Sequence, residues 1–210
     1  MKKVIHVLAA GVVLLACAAS GPAQVTKESA RGTADLRVGS LWEHGNTLSE
    51  LNYTRFSIGA RISPYLGQSR VTHRLSVQFA VDYVPVSTTD YFDPILNSKA
   101  QISEHLVVLN PGLGFDVLQR PQADITLRYG GAVFGNLTLL ELPSLYGGWE
   151  DVCDLSAFSG ACPSRWNFLG NAGVSVRYFP TKHHSFYFGA DHTRYAGRKN
   201  QLVGTFGGYF

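Results

Sequence analysis

The feature that most constrains this 210-residue chain is a two-residue alternation of apolar and polar side chains, repeated in eight runs. The runs lie at roughly 34–43, 51–62, 73–83, 105–117, 124–138, 167–178, 185–195 and 201–210. In the third, Leu75, Val77, Phe79, Val81 and Tyr83 share one face, and Arg74, Ser76, Gln78, Ala80 and Asp82 share the other. In the sixth, Phe168, Gly170, Ala172, Val174, Val176 and Tyr178 oppose Leu169, Asn171, Gly173, Ser175 and Arg177. A strict period of two means strands with unlike faces. Most runs are near the ~9–11 residues a tilted strand needs to cross a bilayer. Abundant Gly, Phe and Tyr and a single Met fit strands better than a helical bundle. The expected class is all-β, an eight-stranded antiparallel up-and-down transmembrane β-barrel.

The N-terminus, MKKVIHVLAAGVVLLACAASGPAQ, has the form of a secretory signal. Lys2 and Lys3 precede an apolar stretch from Val4 to Ala19, and Gly21-Pro22-Ala23 offers small residues for cleavage. The domain reading is a signal peptide at 1–23, a periplasmic lead at 24–33 and a barrel at 34–210. Leu14-Leu15-Ala16-Cys17 supports a rival reading, cleavage and lipidation at Cys17. Removing the two lysines from 18 basic residues leaves 16 against 15 acidic. That balance, with no basic block, gives no sign of a nucleic-acid partner.

The connections differ in length. EHGNTLS, SPYLGQSRV, LQRPQA, FPTKHH and GRKN are short, and the segments 84–104 and 142–166 are long. With the N-terminus on the periplasmic side, both long segments fall on the outer side. Outer-membrane barrels show that asymmetry of short periplasmic turns and longer external loops. The second long segment carries Cys153 and Cys162, an even pair that in an exported chain suggests a disulfide. Two free thiols are the alternative, and a metal site lacks further ligands nearby.

Charge indicates which face looks inward. The polar faces carry Asp35, Glu43, Asp82, Asp116, Asp124 and Asp191 against Arg37, Arg55, Arg61, Arg74, Arg128 and Arg177. Six of each sign suit an enclosed lumen where every charge finds a partner, because an unpaired buried charge costs several kcal/mol. An eight-stranded barrel is just filled by its side chains. The expectation is a lumen plugged by an Arg–Asp/Glu network, in which truncating Arg128 strands a carboxylate. A soluble lipocalin-type barrel would invert the faces. Aromatics at the run ends oppose that inversion: Tyr178, Phe186 and Phe210 at one rim, Trp42 and Tyr83 at the other. Pro111, inside the fourth run, removes a ladder hydrogen bond and calls for a bulge.

The last ten residues, QLVGTFGGYF, put Leu202, Gly204, Phe206, Gly208 and Phe210 on one face. A closed barrel pairs its last strand with its first, since backbone groups cannot stay unpaired in lipid. On the alternation, the loop asymmetry and the terminal Phe, the chain resembles the small OmpA/OmpX-like outer-membrane proteins. The resemblance implies outer-membrane localisation, a lipid and lipopolysaccharide surround, and Phe206 and Phe210 as an assembly signal for the barrel-insertion machinery. Gly208 departs from the pattern, which usually has a bulkier apolar residue there.

His192-Thr193-Arg194-Tyr195-Ala196-Gly197 is similar to the His-x-Ser-Asn-Ala-Gly stretch of lipid A deacylases. Arg194 stands at the nucleophile position and cannot accept an acyl group. Read as charge instead, His192, Arg194, Arg198 and Lys199 sit where basic groups meet lipid headgroup phosphates. His183-His184 and the acids Asp90, Asp93, Glu150, Asp151 and Asp154 match no ordered metal loop, and no motif calls for a cofactor. Three functions remain open: a structural or surface-interaction barrel, a conduit or binder for small apolar solutes, and a lipid-modifying hydrolase. The first would use loop aromatics, Tyr91, Phe92, Tyr146, Trp149, Phe158 and Trp166, to anchor an extracellular partner.

Overall fold

The computed structural model describes residues 29–43, 53–69, 71–93, 98–141, 149–151, 166–180, 186–196 and 199–210; the side chains of 53, 87–93, 98–104, 136–141 and 149–151 are not included. The signal peptide, Cys17, Cys153, Cys162, Arg198, His183 and His184 lie outside the described residues. So do Tyr146, Phe158 and the side chains of Tyr91, Phe92 and Trp149.

The alternating runs form strands. They are β1 (Gly32–Glu43), β2 (Tyr53–Pro64), β3 (Leu75–Asp93), β4 (Ser98–Gln119), β5 (Ala123–Glu141), β6 (Trp149–Asp151), β7 (Trp166–Tyr178), β8 (Phe186–Tyr195) and β9 (Lys199–Tyr209). Eight of them close into an antiparallel ring, with β5 paired to β7 and β9 to β1; β6 only adds to the outer end of β5. The closing ladder runs from Thr33 opposite Tyr209 to Glu43 opposite Lys199. Beyond it the Arg31 amide donates to the Phe210 carbonyl at 2.6 Å, and the Phe210 amide to that of Gly32 at 3.1 Å. Gly207 permits the join, because a Cβ there would lie 2.2 Å from the Ala34 carbonyl oxygen.

Two features differ from the sequence expectation. The segment 84–104 is strand for most of its length: β3 and β4 pair up to Asp93 opposite Ser98, past a register shift between Pro85 and Ser87. Pro111 produces no bulge. The β4–β5 register is the same on either side of it, from Leu109 opposite Val133 to Gly112 opposite Gly130, and the shift comes later, between Asp116 and Leu118. Gly130 absorbs the crowding, since a Cβ there would stand 2.3 Å from the Pro111 carbonyl.

On the inner side, β2 passes to β3 through a 3-10 turn at Thr72–Arg74. Ser69 and Thr72 hold the turn by exchanging hydrogen bonds, each backbone amide donating to the other's hydroxyl at 3.1 and 3.2 Å. Arg74 therefore sits in this turn, not on the lumen face of a strand.

The lumen is filled in three layers. At the periplasmic end Ala30, Phe179, Tyr187 and Tyr209 form an aromatic floor, with Tyr65 packed against it. Charged and amide side chains occupy the middle. Above them Leu41, Val84, Leu106, Val108, Ala132, Phe134 and Tyr195 form an apolar layer. Outside, Val38, Phe56, Ile62, Val77, Phe79, Leu127, Val176, Phe188, Leu202 and Phe206 are exposed.

Candidate functional site

The middle layer is built around Asp191 on β8. Its Oδ2 accepts from Arg37 Nη1 at 2.8 Å and Arg61 Nη1 at 2.6 Å. Its Oδ1 takes Arg128 Nη2 at 2.9 Å and the Ser175 hydroxyl at 3.1 Å. Two of the three arginines reach a second carboxylate. Arg37 Nε donates to Asp82 at 2.9 Å, and Arg61 Nη2 to Asp35 at 3.0 Å. Tyr187 donates to Asp35 at 2.7 Å, and Asn110 to Asp82 at 3.3 Å. Asp35, Asp82 and Asp191 are all but inaccessible to solvent. Charges so far from water persist only where such partners surround them.

The other lumen charges lie lower. Asp124 accepts from the Tyr209 hydroxyl at 3.1 Å, and Asp116 from the Thr126 hydroxyl and from Gln119. Arg177 lies under the Tyr187 ring, 5.4 Å from its centroid. Just past β2, burial pushes the Tyr65 phenol well above its usual range, so it remains a neutral group at the floor.

Glu43 and Arg55 sit at the outer mouth instead of the central network. Glu43 pairs there with Lys199. Together with Leu41, Trp42 and Leu106 these three charged residues line a cavity of about 40 Å³. Lys199 thus faces the mouth and lies 5.9 Å above the Phe134 ring, which removes it from the headgroup set. His192 and Arg194 do share the outer wall, and the His192 ring stacks on Trp42 at 6.2 Å. Thr193 points the other way and binds Arg128 in the lumen. The hydroxyl and the imidazole are on opposite sides of the wall, so they cannot act as nucleophile and base. Among the described residues no group of three or more metal-ligating side chains converges.

Phe206 lies on the outer wall near the periplasmic end, in a cluster with Phe186 and Phe188. Phe210 packs its ring against Gly32, where a Cβ would meet its Cζ at 2.7 Å. At the outer level, Tyr83 stacks on His105 with its hydroxyl 2.6 Å from Nδ1. Sequence reading missed Asp191 as the shared acceptor, the phenols that serve the acids, and the apolar layer. The parity of Tyr187, Tyr195 and Tyr209 already placed them inward; the partners come from strands far apart in the chain.

No protein-family model and no curated protein sequence matches the chain. Among solved structures it is similar to the attachment invasion locus protein Ail of Yersinia pestis, at 10% identity and a TM-score of 0.44, covering 85% of this chain and 98% of that one. Neisserial surface protein A is similar at 11% identity and a TM-score of 0.46, covering 85% and 96%. Among the described residues no helix is long and apolar enough to cross a membrane. The crossing is made by strands. The ring of eight strands closes on itself, the buried charges lie on its inside, and the outside is an apolar band with aromatic groups at both ends. The chain is a small eight-stranded β-barrel of the outer membrane.

Proposed function

We propose that this protein works at the cell surface as a structural and interaction barrel, with a sealed lumen and its outer extensions as the recognition surface. One observation carries the reading. β3, β4 and β5 run for 19, 22 and 19 residues, against 10–13 for the other barrel strands. A strand needs about 9–11 residues to cross the bilayer. The surplus projects as a sheet above the outer leaflet, where it contributes nothing to spanning. Paired strands there hold a surface at lower conformational entropy than a loop of equal length. Trp166, half exposed at the outer start of β7, adds an aromatic of the kind that anchors partners. The Arg–Asp network and the apolar layer together plug the lumen, so exchange with the outside takes place on the extensions.

The test replaces Pro85–His105 with an Asn-Gly turn joining Val84 to Leu106, which already face each other in the ladder. Bacteria displaying either form are then washed over surfaces coated with extracellular-matrix protein or polysaccharide. Retention by the full-length barrel and its loss in the trimmed one is the expected result. Equal retention by both forms, or by neither, refutes the reading, provided both forms run as folded barrels on an unheated gel.

A further inference from the structure

We propose that the periplasmic rim of the barrel, where the β2–β3 turn meets the N-terminal lead at Ala30–Arg31, binds the headgroups of anionic phospholipids in the inner leaflet. Three observations meet there. The first is a separation of charge between the two ends. The segments at the inner end, 29–31, 64–74, 118–123 and 179–185, carry five Lys or Arg and no acid. Those at the outer end, 43–55, 87–104, 139–166 and 194–199, carry six against nine acids. The carboxyl groups at the inner level lie elsewhere: Asp116 and Asp124 are buried in the lumen, and Phe210 carries its own past the end of β9. Arg120 is already engaged within the fold, and Arg70 and Lys182 lie outside the described residues. Arg31 and Arg74 are the cations whose place on the rim is known.

The second is an apolar pair in the same turn. Leu66 is 55% exposed and Val71 68%. The turn that presents them is firmly built. Besides the Ser69–Thr72 exchange, the Leu66 amide donates to the Leu75 carbonyl and the His73 amide to the Ser69 carbonyl, both at 2.8 Å. Leu66 continues the outward parity of Ile58 and Ile62, so the lipid-facing band of β2 reaches down to the level of the cations.

The third is the way the lead is fixed to this turn. The Arg31 carbonyl accepts from the Tyr65 amide at 2.8 Å. Tyr65 stacks on His73 at 4.4 Å, and His73 Nε2 lies 3.3 Å from the Ala30 carbonyl oxygen. Lead and turn form one sector of the rim, with Arg31 on the first and Leu66, Val71 and Arg74 on the second. The aromatic cluster of Phe186, Phe188 and Phe206 on the outer wall near the same end marks headgroup depth. Cations set among exposed apolar side chains suit a lipid interface, with the apolar groups at the acyl boundary and the cations at the phosphates. A purely polar polymer would leave Leu66 and Val71 in water. A zwitterionic lipid brings its own cation to its phosphate, so the anionic headgroup is the better match.

The test is native mass spectrometry of the delipidated barrel in nonionic detergent, titrated with dioleoyl-phosphatidylglycerol or dioleoyl-phosphatidylcholine. The first phosphatidylglycerol should bind at about tenfold lower concentration than phosphatidylcholine. Arg31→Gln with Arg74→Gln should erase that preference, and Arg165→Gln, which removes a cation at the outer end, should keep it. Leu66→Ser with Val71→Ser should weaken both lipids alike. Glycerol phosphate, the headgroup without its chains, should not displace the lipid at equal concentration. Equal binding of the two lipids by wild type overturns the proposal, as does a preference that survives Arg31→Gln with Arg74→Gln or is lost in Arg165→Gln. Lipid binding unchanged in the serine variant, or displaced by glycerol phosphate, overturns it as well. Unheated gel mobility checks that each variant is folded. Should a paired variant misfold, Arg31→Gln alone decides: its side chain is exposed, and the preference must fall severalfold.

Discussion

Asp191→Asn is the substitution that asks most of this lumen. The side chain keeps its shape and one carbonyl oxygen but loses the charge that three guanidiniums share. Arg37 retains Asp82, and Arg61 retains Asp35. Arg128, whose ion pair is with Asp191, becomes the stranded cation. Removing one partner of a buried pair costs about 3–5 kcal/mol, and that is the expected loss here, since one cation and not three is left without a carboxylate. The assay is urea unfolding of the barrel refolded into lipid vesicles, followed by intrinsic fluorescence. Glu43→Gln is the control. It breaks a partly exposed pair at the mouth and should stay within about 1 kcal/mol of wild type. The double variant Asp191→Asn, Arg128→Gln should recover at least about 1 kcal/mol, because it removes the stranded charge. If Asp191→Asn unfolds within about 1 kcal/mol of wild type, or the two substitutions cost independently, Asp191 is not the shared acceptor.

Arg128→Ala should cost only about 1–2 kcal/mol, because Asp191 still accepts from Arg37 at 2.8 Å and Arg61 at 2.6 Å; a loss equal to that of Asp191→Asn, in the same unfolding assay, contradicts this. The sequence expectation that truncating Arg128 strands a carboxylate is revised accordingly. Unboiled and boiled samples in detergent should migrate differently on a gel, as a closed ladder predicts, and identical migration argues against closure. In planar bilayers the purified barrel should give no stable channel steps, since Leu106, Val108 and Phe134 fill the lumen above the charges; steady open-pore conductance refutes the plug. Phe210→Ala should lower the folded fraction in cells but leave detergent refolding in vitro unchanged if the residue acts as an assembly signal. An equal loss in both would make its contact at Gly32 merely structural.

Much of the fold was legible because alternation is a property of the local backbone. The faces of Leu75–Tyr83 needed no knowledge of the barrel, and the structure has Ser76, Gln78, Ala80 and Asp82 inside and Val77 and Phe79 outside. The signal faded where its cause does. Ser87, Thr88, Thr89 and Asp90 carry no apolar alternation, so they read as loop although their ladder to Gln101–Glu104 continues. Charge pairing was hidden for another reason. Arg37 and Asp191 are 154 residues apart, and the stagger of the closed ring decides that they meet.

Lys199 shows the limit most clearly. Chain proximity grouped it with His192 and Arg194, yet the turn after Tyr195 returns the chain on β9 with Lys199 facing the mouth. One residue of parity separates a headgroup contact from a lumen charge. The same parity puts Thr193 in the lumen and His192 on the lipid side. The short His-Thr-Arg stretch that resembles a hydrolase motif is divided by the wall it helps to build. Function in a wall one residue thick depends on which side each residue faces, so a motif match here has weight only after parity has been assigned.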